Sequence, residues 1–164
     1  MTVNLSEFDQ SCLDGQEGPA ATSAMRVIVR LAEAMKATEL LDVTSAHIDS
    51  CLYHGPAVLD FAKWLEDQGA KVTIPTTLNV SSLDLIHPDL YRGDEDWGVQ
   101  ARLLMDCYER MGCKPTWTCA PYQLEERPKF GEQVAWAESN AIVFANSVLG
   151  ARTHRYGDFI DICA

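Results

Sequence analysis

The chain has no C-x-x-C pair among its six cysteines. That excludes a self-contained zinc ribbon or ferredoxin-type cluster. It has no basic excess: 24 acidic side chains against 13 basic ones give a net charge of −11. Nucleic acid and anionic membrane are therefore not expected as partners. No apolar run reaches the length of a bilayer span. The opening MTVNLSEFDQ has neither the basic n-region nor the apolar h-region of a secretory signal, so a cytoplasmic protein is expected. The chain is also too long and too aliphatic for a disulfide scaffold. Internal repeats and low-complexity tracts are lacking as well.

What is present is an ordinary globular composition. The 164 residues are 47% apolar and 23% charged, enough for one domain with a real core. Ser6 is placed to cap a short helix over 5–13. Met25, Ile28, Val29, Ala32 and Met35 repeat at helical spacing within 20–36. A strand is expected over 40–48, then a helix opened by Gly55-Pro56 and closed by Gly69. A second strand is expected over 71–74, a helix over 99–111 stopped by Gly112, and a third strand over 114–119. The apolar segment 134–149 reads as a buried helix. The run 159–162 reads as a strand, and a chain reaching Ala164 inside a strand has the pattern of one cut within a larger fold.

Strands alternating with helices imply βαβ units and an α/β fold with a mainly parallel sheet and helices on its faces. Ligands in such sheets gather beyond the carboxyl ends of the strands. Three groups fall there: 46–50 with His47 and Asp49, 75–79 with Thr76, Thr77 and Asn79, and 119–122 beginning at Cys119. Cys119 suits a metal or cluster ligand, a nucleophile or a small buried hydrophobe. The nucleophile reading is weakened because no Gly-x-Cys or Cys-Gly signature surrounds it. Cys107 shares a helix face with Leu103, Leu104 and Met111 and reads as core, whereas Cys51, just past the first strand, stays open. His47 suits acid–base work, a ligand role or a structural hydrogen bond. Thr76, Thr77 and Asn79 suit a cradle for a carboxylate, or a turn satisfied by its own side chains. Glu138, Ser139 and Asn140 interrupt the apolar segment. Either Glu138 is a costly buried acid or Ser139 begins a new helix.

At these residues the chain resembles a known family. Ser45-Ala46-His47-Ile48, 71–79 (KVTIPTTLN), 115–122 (PTWTCAPY), 128–132 (PKFGE) and 136–153, from Trp136-Ala137-Glu138-Ser139-Asn140 to Arg152-Thr153, are similar in order to the large subunit or domain of aconitase X. The resemblance covers essentially the whole chain. It implies an aconitase-superfamily hydro-lyase that dehydrates a small hydroxy acid with an iron–sulfur cluster or iron. It also implies that residues 1–164 form a single α/β unit, the N-terminal portion of a larger domain, closed by a small swivelling domain or subunit. The 50–55 stretch (SCLYHG) looks more like the branch that converts cis-3-hydroxy-L-proline to Δ1-pyrroline-2-carboxylate. A mevalonate 5-phosphate dehydratase is the enzyme alternative, and a non-catalytic scaffold or binding half is the alternative of another class. Carried over are Cys119 as a metal ligand, His47, Glu138 and Ser139 as catalytic residues with unassigned roles, and Thr76, Thr77, Asn79 and Asn140 as substrate-binding residues.

Overall fold

The computed structural model describes residues 3–49, 51–154 and 158–164, Asp158 by its backbone alone. Two helices open the chain, α1 (Glu7–Leu13) and α2 (Gly18–Ala34). Ser6 caps α1 reciprocally: the Asp9 amide donates to Ser6 Oγ at 3.1 Å and the Ser6 amide donates to Asp9 Oδ2 at 2.8 Å. Then follow β1 (Ala46–Ile48), α3 (Pro56–Asp67), β2 (Thr76–Leu78) and α4 (Glu95–Arg110). The second half holds β3 (Ala135–Trp136), α5 (Ser139–Phe144), a π-helical turn at Ala145–Leu149, and α6 (Asp158–Cys163).

The three strands form a parallel sheet in the order β2-β1-β3. Parallel bridges extend it by one position on each side, Lys114 beside β2 and Arg152 beside β3. The central strand is fully buried, as a parallel strand covered on both faces must be. Ile48 and Leu78 pack with Leu59, Ala62 and Leu65 of α3 and Ala101, Leu104, Cys107 and Tyr108 of α4. A second cluster joins Val134 and Trp136 to Ala141, Ala145 and Ala151. The α/β class and the parallel sheet are as the sequence predicts.

Five expected elements differ. The first strand covers only Ala46–Ile48 of the expected 40–48. The second strand lies at Thr76–Leu78, not 71–74. Pro75 has no amide to offer the ladder, so pairing begins after it, with Pro75 contributing only its carbonyl to the Ala46 amide at 3.0 Å. The front of the 134–149 segment is strand, because the Val134 amide reaches Arg152 O at 2.9 Å and the Ala135 amide reaches Ser45 O at 3.0 Å. A continuous apolar run is also how a doubly covered strand reads. Residues 158–163 are helical, not extended. Phe159, Ile160, Ile162 and Cys163 fit helical spacing as well as strand alternation, and a run that short cannot separate the two periods. The third expected strand, 114–119, does not form: Lys114 alone bridges β2, its carbonyl accepting the Leu78 amide at 3.0 Å. Beyond it no regular pairing develops, and Trp117 takes a left-handed backbone, φ 46°.

Gly150 has a structural reason to be glycine. Its φ of 69° ends the π-helical turn, and a Cβ there would stand 2.5 Å from the Phe130 ring. That reversal sends 151–153 back alongside β3.

Leu104 is wholly buried where α3 and α4 meet the sheet. Leu104→Ala is expected to destabilise the domain by about 3 kcal/mol, read as a lower urea midpoint with unchanged slope.

Candidate functional site

Parallel strands end on one side, so the residues that follow them meet there. Asp49 follows β1, Asn79 follows β2, Cys119 lies on the segment beside β2, and Glu138 stands two residues beyond β3. Asn79, only 2% exposed, joins them. Its Nδ2 donates to Asp49 Oδ1 and to Glu138 Oε2, the latter at 2.5 Å, while its Oδ1 accepts the Val80 amide at 2.6 Å. The Val80 contact sets the orientation of the amide, which leaves both N–H groups facing the carboxylates. Burial raises the Glu138 carboxyl above the ordinary range, and the Asp49 charge adds to this. The Asn79 hydrogen bond opposes both. A carboxyl in that setting keeps its proton to higher pH than an exposed one.

His47 is fully buried in the central strand, on the row shared with Thr77 and Trp136. Its Nδ1 lies 2.8 Å from Thr77 Oγ1, and its ring meets Trp136 edge-on at 6.3 Å. Its Nε2 makes no hydrogen bond of ordinary geometry among the described residues. Burial lowers its pKa to about 4, against the opposing pull of Asp49 and the Thr118 backbone. His47 is therefore a neutral side chain in the wall beneath the acids.

The structure divides the sequence-expected residues. Asp49, Asn79, Glu138 and Cys119 come together, and Asn140 joins them by donating from Nδ2 to Cys119 O at 2.7 Å and to the Tyr122 hydroxyl at 3.3 Å. Ser139, the first residue of α5, is exposed. Thr77 is occupied by His47. Thr76 belongs elsewhere: its hydroxyl donates to Ile74 O at 3.0 Å and it lines a separate cavity. That cavity, about 350 Å³, lies among Cys12, Met25, Leu65, Met111 and Cys163 and touches none of Asp49, Asn79, Cys119 or Glu138. The chemistry-bearing cluster and the cavity are different places. The sequence places Asp49 at the strand end but gives it no role. It stood at a strand end beside His47, but its partners Asn79 and Glu138 are far off along the chain.

Six free thiols sort clearly. Cys119 is half-buried and the other five are buried. Burial pushes Cys51 and Cys113 up to about 12 and Cys107 up to about 11. Cys107 is core, as its helix face predicts. Cys51 is spent on the backbone, its Sγ 3.0 Å from Asn79 O and 3.4 Å from Val80 O. Cys119 is raised by burial and by Glu138, and a Val80 backbone hydrogen bond works against that. A negative neighbourhood disfavours a free thiolate and favours an arriving cation. Cys119 therefore fits one soft ligand of an iron or iron–sulfur centre. Among the described residues no three His, Cys, Asp or Glu side chains gather as a ligand set, so further ligands have to come from outside this group. Among the described residues, too, no helix is long and apolar enough to cross a membrane.

A parallel α/β sheet with acids, amides and one accessible thiol beyond its carboxyl edge defines an α/β domain of the small-ligand-binding class. The chain belongs to the aconitase X family: the family model described as the aconitase X first domain matches residues 2–164. It is 50% identical to a cis-3-hydroxy-L-proline dehydratase of Hypocrea jecorina over 99% of this chain and 27% of that protein. Identity is also 50% to the dehydratase of the same name from Pseudomonas aeruginosa, over 97% of this chain and 27% of that one. The phosphomevalonate dehydratase large subunit of Thermococcus kodakarensis is 36% identical over 93% of this chain and 38% of its own length. The crystal structure of aconitase X from Thermococcus kodakaraensis in its holo-form superposes with a TM-score of 0.88 at 34% identity, covering 98% of this chain and 40% of that one. The chain thus spans roughly a quarter to two-fifths of the length of these relatives.

The His47 shift sets a pH dependence. Its folded pKa lies below its unfolded value near 6.5, so the unfolded chain takes up a proton first as pH falls. Stability is fully present above about 6.5 and is lost on the way down to about 4. Between pH 7 and pH 5 the loss is expected to be about 2 kcal/mol. Urea unfolding at the two pH values checks this, and His47→Gln should flatten the difference by that amount.

Proposed function

We propose that this chain is the N-terminal portion of the large domain of a hydro-lyase that converts cis-3-hydroxy-L-proline to Δ1-pyrroline-2-carboxylate. The supporting observation is the 50% identity to two proteins named for that reaction, against 36% to a phosphomevalonate dehydratase large subunit. Six free cysteines are in keeping with a cytoplasmic enzyme.

The reaction removes a proton from C2 and the hydroxyl from C3. The C–H electron pair becomes the ring double bond, the hydroxyl departs with one proton as water, and the enamine tautomerises to the cyclic imine. Cys119, with ligands from beyond this chain's own set, would hold an iron–sulfur or iron centre, which when bound would supply a Lewis acid for the departing hydroxyl. The chain's own residues supply proton handling and placement. Glu138, buried beside a second carboxylate, holds its proton to higher pH than an exposed glutamate and so suits proton transfer. Ser139, exposed next to it, is the hydroxyl free to hold the substrate carboxylate. Asn140 ties the Cys119 carbonyl and Tyr122 to α5 and so fixes where the thiol stands. His47 and Thr77 form the wall behind them. A small swivelling domain or subunit, with the rest of the large domain, closes the site over the substrate.

Two experiments test this. The complete enzyme, reconstituted anaerobically with iron and sulfide, should turn over cis-3-hydroxy-L-proline. Turnover of 5-phosphomevalonate instead would move it to the other branch, and turnover of neither would favour a non-catalytic scaffold. Separately, Cys119→Ser should lose iron and activity while keeping the fold. Cys107→Ala should keep both, at a stability cost of about 1 kcal/mol. Iron per chain in the two purified variants decides whether Cys119 is the ligand.

A further inference from the structure

We propose that Asn79 is a positioning residue that acts, together with Asp49, through Glu138, and that Glu138 is the side chain exchanging a proton with the substrate. The inference rests on the hydro-lyase reading above. It departs from the role the sequence suggests for Asn79, a direct hold on the substrate.

The Asn79 side chain has no donor to spare. Both N–H groups of Nδ2 are taken by carboxylates, and Oδ1 accepts its neighbour's amide. Its backbone is held as firmly: the amide donates to Ile48 O at 3.0 Å and the carbonyl accepts from Cys51 Sγ at 3.0 Å. A side chain that is 2% exposed and committed at every donor cannot reach out to a ligand. It can fix what it touches. Asn79 binds Asp49, 30 residues away, and Glu138, 59 residues away. It thereby places two like charges side by side at the ends of two strands.

That juxtaposition has a chemical consequence. Groups from each element around Glu138 bear on it: Asp49 after β1, Asn79 after β2, and the Ser139 amide at the start of α5. No ion pair among the described residues includes Asp49 or Glu138. Burial and the Asp49 carboxylate held beside it disfavour the ionised form of Glu138. The dehydration moves two protons, one from C2 to a base and one onto the departing C3 hydroxyl. Glu138 carries one of them, and Asn79 sets its angle and distance, the kind of placement on which proton transfer depends.

Kinetics of the complete, iron-loaded enzyme tests this. Asn79→Ala should lower kcat roughly tenfold or more with KM held within about twofold, at normal iron content and far-UV circular dichroism. Glu138→Gln should lower kcat further, roughly a hundredfold or more. The double variant should be no slower than Glu138→Gln alone, because Asn79 acts through that side chain. If Asn79→Ala does not fold, Asp49→Asn replaces it in the same cycle with the same expected non-additivity. A raised KM with unchanged kcat would make Asn79 a substrate ligand. Losses that multiply in the double variant, or an active Glu138→Gln enzyme, would equally overturn the assignment while leaving the hydro-lyase reading intact. An unmutated enzyme that turns over neither hydroxy acid overturns that reading first, and this assignment with it.

Discussion

A central strand with no exposed residue constrains everything else in this domain. β1 pairs in parallel with β2 along its whole length and with β3 at Ala46 and His47, so its backbone is committed on both sides there and both faces must be covered. Parallel pairing has a further consequence. The strands end on the same side, and whatever follows them converges without any long-range design beyond the pairing itself. Asp49, Asn79 and Glu138 are neighbours for that reason, and the Asn79 amide fixes their contact.

The same arrangement ties stability to chemistry. Burying a carboxyl near another carboxyl is unfavourable, and here the Asn79 amide hydrogen bonds offset part of the cost. The outcome is a carboxyl held above its ordinary range beside a histidine pushed below its own, both by burial first. Two titratable groups displaced in opposite directions at one strand edge are typical of acid–base sites. The thiols follow a similar logic. Cys51, Cys107 and Cys113 lie in the dry core between the sheet and α3–α4, where they behave as small hydrophobes. Cys119 lies past the left-handed kink at Trp117, which lifts it out of the ladder and leaves it partly open.

The sequence by itself determined the class of fold and the end of the sheet where the chemistry lies. Helical spacing in α2 to α4, the capping Ser6, and glycines at helix ends are local signals, and local hydrogen bonding and side-chain periodicity suffice to produce those elements. The order of strands and helices then implied a parallel sheet, and with it a site beyond the carboxyl edge. The blocks around Cys119 and Glu138 carried the family likeness that the matches bear out.

Only the tertiary structure decided which residues meet and in what state. A strand as short as β2 or β3 gains its conformation from partners, so Pro75, Val134 and the 158–163 helix could not be placed from their own neighbours. The alternation within β2 sent Thr76 to the cavity side and Thr77 to His47. Asp49 had no visible partner until β1 and β2 were laid side by side, and Asn79 looked free until both its N–H groups were found in use. Hydrogen bonds between residues dozens of positions apart, and the burial that shifts a pKa, are properties of packing. They have no period or spacing along the chain from which to be read.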